Sequence, residues 1–281
     1  MLQIIECPRD AMQGIKTFIP TEKKVQYLNL LLKVGFHTLD FGSFVSPKAI
    51  PQMSDTHEVV KQLEGGSNTK LLAIVANERG AIEACQYPQI QYLGFPLSAS
   101  ETFQQRNTNK SIQEALQTVA RIQQLCEEHG KKAVIYISMG FGNPYGDPYS
   151  PELVCALIEK IKVMQIDTVS LADTVGSASV KDIEELYSLA ARLFPSMTLG
   201  IHLHSRREEV KEKVHAAYAA GCRRFDAALR GFGGCPMAKD ELVGNLDTEL
   251  LIEALREVKA PLPPIDEEAL AEAKRYSLEI F

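Results

Sequence analysis

Two periods alternate along the chain. Short apolar runs rich in aliphatic and β-branched residues lie near 2–6, 37–41, 70–75, 90–94, 133–138, 166–171, 197–203 and 223–229. Runs this compact read as strands covered on both faces, as in parallel sheets. Longer stretches with helical spacing separate them. Residues 21–34 place Val25, Leu28, Leu31 and Leu32 on one face, with Thr21 reading as an N-cap and Gly35 as a C-cap. Helical patterning recurs over 111–129, 151–164, 179–193, 206–220 and 247–257. Ser111 with Glu114 forms a capping box, and Ser150–Pro151 is a cap followed by a first-position proline. The tail, 261–281, carries three prolines and then a last helical segment, EEALAEAKRY, expected on the outside.

Strand followed by helix, eight times over, predicts an α/β protein with a parallel sheet. Eight units in about 250 residues fit a closed (β/α)8 TIM barrel better than an open doubly wound sheet. The expectation is a single catalytic domain over 1–281, with the barrel over about 2–257 and a C-terminal helical extension over about 258–281. The first strand–helix turn, CPRDAMQG, lacks GxGxxG and gives no support to a dinucleotide-binding fold.

Composition narrows the function class. The chain has 281 residues, 45% hydrophobic and 23% charged, which excludes a disordered chain or a coiled coil. A net charge of −6 with no Trp offers no large basic surface for nucleic acid. The longest apolar run, near 133–142, is too short to span a bilayer. Six widely spaced cysteines without a CxxC pair read as reduced thiols, and the N-terminus has no leader-like pattern, so the expected location is cytoplasmic.

Polar residues collect where strands end, which in such barrels is the catalytic face. Arg9 and Asp10 follow strand one, Asp40 lies on strand two, and Tyr136 and Ser138 lie on strand five. Ser170 and Asp173 close strand six, His202 and His204 lie on strand seven, and Asn245 comes after strand eight. Positions i and i+2 of a strand share a face, so His202 and His204 can meet one cation. Asp10 and Asn245, on neighbouring strands of a closed barrel, complete a mixed oxygen and nitrogen set. With waters, such a set suits Mg²⁺ or Mn²⁺, while imidazole also suits Zn²⁺ or Co²⁺. Two loops add candidates: GFGGCP, presenting Cys235, and SFVSPKAIPQM, with Lys48 placed to meet an anionic group. The remaining histidines and cysteines read as packing or surface residues.

PRDAMQ (8–13), SFVSPKAIPQM (43–53), SLADTVG (170–176), HLH (202–204), GFGGCP (231–236) and GNLDTE (244–249) together resemble the hydroxymethylglutaryl-CoA lyase family. That family belongs to the superfamily of metal-dependent lyases and Claisen-condensing barrels, and the resemblance runs from Glu6 to about Glu257. It implies a divalent-metal lyase that cleaves 3-hydroxy-3-methylglutaryl-CoA to acetyl-CoA and acetoacetate, the step of leucine degradation and ketone-body formation, working as a homodimer on an acyl-CoA. Asp10, His202, His204 and Asn245 would hold the metal. Arg9 would stabilise charge on the thioester carbonyl, and Cys235 would donate a proton from a mobile loop. Asp173 or His202 would take the hydroxyl proton. Gln13, Asp40, Ser43, Lys48, Tyr136, Ser138 and Ser170 would line the substrate site, and Glu249 would support the loop.

The chain departs from the family pattern at four places. Asp40 stands where the family has Glu, and Ser205-Arg206-Arg207 follows the second histidine in place of Asp-Thr. Val134 aligns with a basic strand-five residue, and Lys-Asp-Glu-Leu-Val replaces the glycine-rich middle between Cys235 and Asn245. A lyase for a related 3-hydroxyacyl-CoA, a Claisen-condensing relative joining acetyl-CoA to a 2-oxoacid, and a non-catalytic acyl-CoA or metal-binding barrel stand as alternatives.

Overall fold

The structure is a computed structural model, and it describes residues 2–233 and 243–281. Eight parallel strands close in sequence order: β1 (Gln3–Glu6), β2 (Thr38–Ser43), β3 (Lys70–Ile74), β4 (Ile90–Ser98), β5 (Lys132–Ser138), β6 (Thr168–Asp173), β7 (Thr198–Leu203) and β8 (Arg224–Ala227). The ring shuts where Ile4 of β1 pairs with Phe225 of β8. The helices are α1 (Pro8–Gln13), α2 (Thr21–Lys33), α3 (Thr56–Gln62), α4 (Glu78–Cys85), α5 (Glu101–Thr108), α6 (Ile112–Glu128), α7 (Pro151–Val163), α8 (Val180–Leu193), α9 (Val210–Ala219), α10 (Thr248–Glu257) and α11 (Glu267–Tyr276). The expected TIM barrel with a C-terminal helix is the fold. No helix among the described residues is long and apolar enough to cross a membrane.

The caps at Ser111 and Ser150 form as expected, the first as a complete capping box with Glu114. Thr21 is a correction. It is the first helical residue, Pro20 is the cap, and the Thr21 hydroxyl donates to Asp55 Oδ2 at 2.8 Å. Gly35 lies one residue past the cap at φ +95°, and a Cβ there would sit 2.5 Å from the Pro264 carbonyl oxygen. Four helices, α1, α3, α4 and α5, escaped the hydrophobic pattern because six to eight residues carry too few apolar repeats to declare a period.

Strand alternation sorts the core into two layers. Leu39, Phe41, Ile135, Ile137, Leu199, Ile201 and Leu203 face outward into the large cluster shared with the helices. The inward positions form a smaller apolar cluster of Leu72, Ile74, Val134 and Tyr136 on the β3 and β5 side. Across the barrel, β2 and β8 carry the buried charged residues Asp40, Arg224 and Asp226. The interior is therefore apolar on one wall and ionic on the other. A cavity of about 520 Å³ opens at the N-terminal mouth beside Gln3, His37, Thr168, Thr198 and Arg224, away from the strand ends where the candidate site lies.

The tail is tied to the loop that follows β8. Arg230 Nε donates to Ser277 Oγ at 3.1 Å, and Phe232 stacks on Phe281 at 4.3 Å between centroids. Glu249 accepts from the Arg230 amide at 2.9 Å and pairs with Lys274 at 3.1 Å. These contacts join Glu249 and the C-terminal helix to the loop after β8.

Candidate active site

Arg9 and Asp10 do not end β1. They lie in the first turn of α1, which Cys7 precedes and Pro8 opens. Proline suits that position because its missing N–H would have no partner there. The turn points both side chains back over the barrel mouth, and both are buried.

Arg9 is fixed from three sides. Its Nε and Nη2 both reach Asp40, the shortest contact 2.6 Å, while Nη1 donates to Asp10 Oδ1 at 3.1 Å and to Gln13 Oε1 at 2.9 Å. Gln13 in turn donates to Asp10 Oδ1 at 2.8 Å. The fork of Arg9 thus meets two carboxylates, and its position is set before any ligand arrives. Burial pushes the Asp40 carboxyl above the usual range even though Arg9 opposes it. Burial pushes Asp10 the same way, but Arg9 and then the two imidazoles outweigh it and hold that carboxyl below the usual range.

Asp10, His202 and His204 converge, with one ligand atom from each lying within 4.8 Å of the others, and all three are buried. His204 is pushed down to about 4 by burial, reinforced by His202, so it presents a neutral imidazole at pH 7. Burial also opposes charge on His202, yet its hydrogen bond to Asp226 and the nearby Asp10 raise it. Asn245 pairs across a bridge with His204 and lies 2.8 Å from Asp10. Its amide nitrogen is the atom facing both Asp10 and the Phe232 carbonyl. A turn of that amide would present oxygen, and the two orientations have the same shape. One carboxylate, two imidazoles and a carboxamide form a donor set that fits a divalent cation.

The other expected residues divide between this centre and places away from it. Tyr136 meets the His202 ring edge-on at 5.8 Å, and its hydroxyl has no hydrogen-bond partner among the described residues. Ser170 reaches Asp226 at 3.4 Å. Ser138 is buried at the end of β5, and Ser43 is buried with its hydroxyl unpartnered among the described residues. Asp173 is buried, its carboxyl raised by burial, and its two oxygens accept from the amides of Ser177 and Ala178. Lys48 lies exposed on the turn after β2, not against the cluster. Cys235 lies outside the described residues. Asn77 caps α4, and the Ser205 hydroxyl bonds the Arg206 carbonyl.

Two residues that the sequence reading passed over enter the site from β8. Asp226 lies 3.3 Å from His202 Nδ1 and takes Arg224 Nη1 at 2.7 Å. The strand-five position of the missing basic residue, Val134, lines the same N-terminal cavity as Arg224, so positive charge inside the barrel comes from strand eight. The available signal was two charged residues spaced i, i+2 in an otherwise apolar strand.

With the geometry in place, comparison with known proteins gives one family. The model for the HMGL-like family matches residues 2–276. The chain belongs to the HMGL-like family. A hydroxymethylglutaryl-CoA lyase of Pseudomonas mevalonii is 31% identical over 248 residues, 88% of this chain and 82% of that protein. The (R)-citramalyl-CoA lyase of Chloroflexus aurantiacus is 30% identical over 264 residues, 90% of this chain and 83% of that protein. Among solved structures, an HMG-CoA lyase from Acinetobacter baumannii, in complex with coenzyme A and 3-methylmalate, superposes with a TM-score of 0.91. It is 32% identical and covers 100% of this chain and 91% of that one. This HMGL-like barrel therefore carries its ionic cluster at the mouth where the strands end, the face barrels of this kind use for chemistry.

Proposed function

We propose that this HMGL-like protein is a carbon–carbon lyase that cleaves 3-hydroxy-3-methylglutaryl-CoA to acetyl-CoA and acetoacetate with a divalent metal, Mg²⁺ or Mn²⁺. The whole chain acts as one catalytic domain. The observation that carries the reading is the buried meeting of Asp10, His202 and His204 beside an Arg9 already locked in place. Asp10, His202, His204 and Asn245 would hold the metal, which when bound supplies Lewis acidity to the substrate's oxygens.

The expected residues then divide the tasks. Arg9 keeps a permanent positive charge in a buried site, where a charge developing on the thioester carbonyl is stabilised far more than in water. Gln13 and Asp40 hold that guanidinium in place. Asp173 or His202 takes the hydroxyl proton; burial raises the Asp173 carboxyl, and that group serves as the base only by turning from the Ser177 and Ala178 amides of its own loop. His202 is the candidate base that lies in the cluster itself, with Nδ1 engaged by Asp226. Cys235 returns a proton to the acetyl-CoA enolate. Tyr136, Ser138, Ser170 and Ser43 line the acyl pocket, Lys48 meets the CoA end, and Glu249 steadies the loop base. The substrate is an acyl-CoA, not nucleic acid or membrane, and the enzyme works as a cytoplasmic homodimer.

The test is turnover of chelator-stripped protein on 3-hydroxy-3-methylglutaryl-CoA, with and without Mg²⁺ or Mn²⁺, alongside His202→Ala. Acetoacetate that requires the metal and vanishes in the variant is expected. Product formed without metal would overturn the assignment. Nearly equal identity to the (R)-citramalyl-CoA lyase favours one second reading, a lyase for another 3-hydroxyacyl-CoA. Citramalyl-CoA in the same assay decides between them by kcat/KM.

A further inference from the structure

The ionic wall of the barrel continues below the proposed metal centre. His202 Nδ1 faces Asp226 Oδ2 at 3.3 Å, the Ser170 hydroxyl reaches the same oxygen at 3.4 Å, and Arg224 Nη1 donates to Asp226 Oδ1 at 2.7 Å. His202 and Asp226 are register partners on adjacent strands, and Arg224 lies two residues before Asp226 on the same inward face. The Asp226 side chain is fully buried and that of Arg224 is 4% exposed.

We infer that Asp226 is a positioning residue for the metal centre, and that Arg224 decides which way its acceptor oxygens point. This rests on His202 being a metal ligand. A carboxylate can only accept hydrogen bonds, so Asp226 requires the proton of a neutral His202 to reside on Nδ1. The Nε2 lone pair is then free for a cation shared with Asp10 and His204. Carboxylate support of this kind sets ring tautomer and orientation at metal sites generally. Arg224 adds something a lone aspartate lacks. It is a donor without acceptor capacity, so the atom facing it must be an oxygen. Were residue 226 a carboxamide, Arg224 would claim its single oxygen and turn the NH₂ toward His202 Nδ1. Nδ1 would then have to accept, the proton would move to Nε2, and the lone pair needed by the metal would be lost. Without Arg224, the carboxamide is free to rotate, offer its oxygen to His202 and the Ser170 hydroxyl, and turn its NH₂ to the side that Arg224 vacates.

The reasoning gives an ordering that loss of packing alone does not. Mn²⁺ affinity of chelator-stripped protein is measured by calorimetry for wild type, Asp226→Asn, the double variant Arg224→Met with Asp226→Asn, and His204→Ala. Asp226→Asn should weaken Mn²⁺ binding roughly 10–100-fold. The double variant, although it loses a buried ion pair and a larger side chain, should bind several-fold more tightly than Asp226→Asn alone. Nitrogen-15 spectra of His202 above pH 8 should show the proton on Nδ1 in wild type and on Nε2 in Asp226→Asn. A double variant no better than Asp226→Asn would overturn the proposal, as would Asp226→Asn binding Mn²⁺ within about threefold of wild type in folded protein. If His204→Ala also keeps wild-type affinity, the metal site itself is misassigned. If His204→Ala loses affinity while Asp226→Asn does not, only the role of Asp226 fails.

Discussion

Replacing Arg9 with alanine tests the site at two levels, stability and turnover. The side chain is 10% exposed and holds two buried carboxylates, Asp40 by three contacts and Asp10 by one. Removing one partner of a buried ion pair leaves an uncompensated charge and costs roughly 3–5 kcal/mol. Asp40 has the deeper problem because it is 1% exposed and its carboxyl is already raised by burial. A carboxyl raised in the fold contributes stability below its unfolded pKa and loses it as pH rises through the folded one. Without Arg9 that folded value moves further up. The deficit of Arg9→Ala should therefore be full near neutral pH and shrink as pH falls and Asp40 takes up its proton within the fold. Adding Asp40→Asn should recover much of the stability at pH 7, since a carboxamide needs no counter-charge. It should not recover catalysis. Loss of one preorganised charge at a developing oxyanion costs on the order of 10²–10³ in kcat, or ~3–4 kcal/mol. Urea unfolding at pH 4.5 and 7 measures the first effect, and saturating turnover measures the second. Turnover of Arg9→Ala within threefold of wild type would refute the catalytic role. A pH-independent stability deficit would refute the electrostatic account.

Three further outcomes are expected. Glu6 is wholly buried, accepts from Thr248 and the Leu229 amide, and burial raises its carboxyl to about 8; it therefore contributes stability below its unfolded pKa of about 4.5 that is lost as pH rises to 8 and beyond, and Glu6→Gln should flatten the urea-measured stability curve between pH 6 and 9, whereas parallel curves would contradict the shift. Phe281→Ala removes the stack on Phe232, worth about 0.5–1.5 kcal/mol. Because that ring braces the loop after β8, turnover should fall more than stability predicts; unchanged kcat would show that the tail only covers the barrel. Cys235→Ser should cut turnover strongly while leaving the unfolding midpoint in place, and a comparable loss in both would point to a packing role.

Periodicity and spacing carried much of this protein. The eight strand runs, the closed order of the barrel and the caps at Ser111 and Ser150 were all legible, because strand and helix periods and capping chemistry are local properties. The pairing of His202 with His204 was legible for the same reason, since alternate strand positions share a face. Asp10 joined them once closure made strands one, seven and eight neighbours. What remained hidden depends on distance across the barrel. Nothing local distinguishes Asp40, which grips Arg9 from another strand, from Asp173, whose carboxylate turns to its own loop. Ser43 and Lys48 belong to one sequence motif, yet Ser43 ends β2 and is buried while Lys48 lies exposed on the turn that follows, because burial is set by what packs over each position. Asp226 and Arg224 look like ordinary strand polarity until closure buries them under His202. Burial then makes each of their hydrogen bonds obligatory, and that constraint exists only when eight strands enclose the same interior.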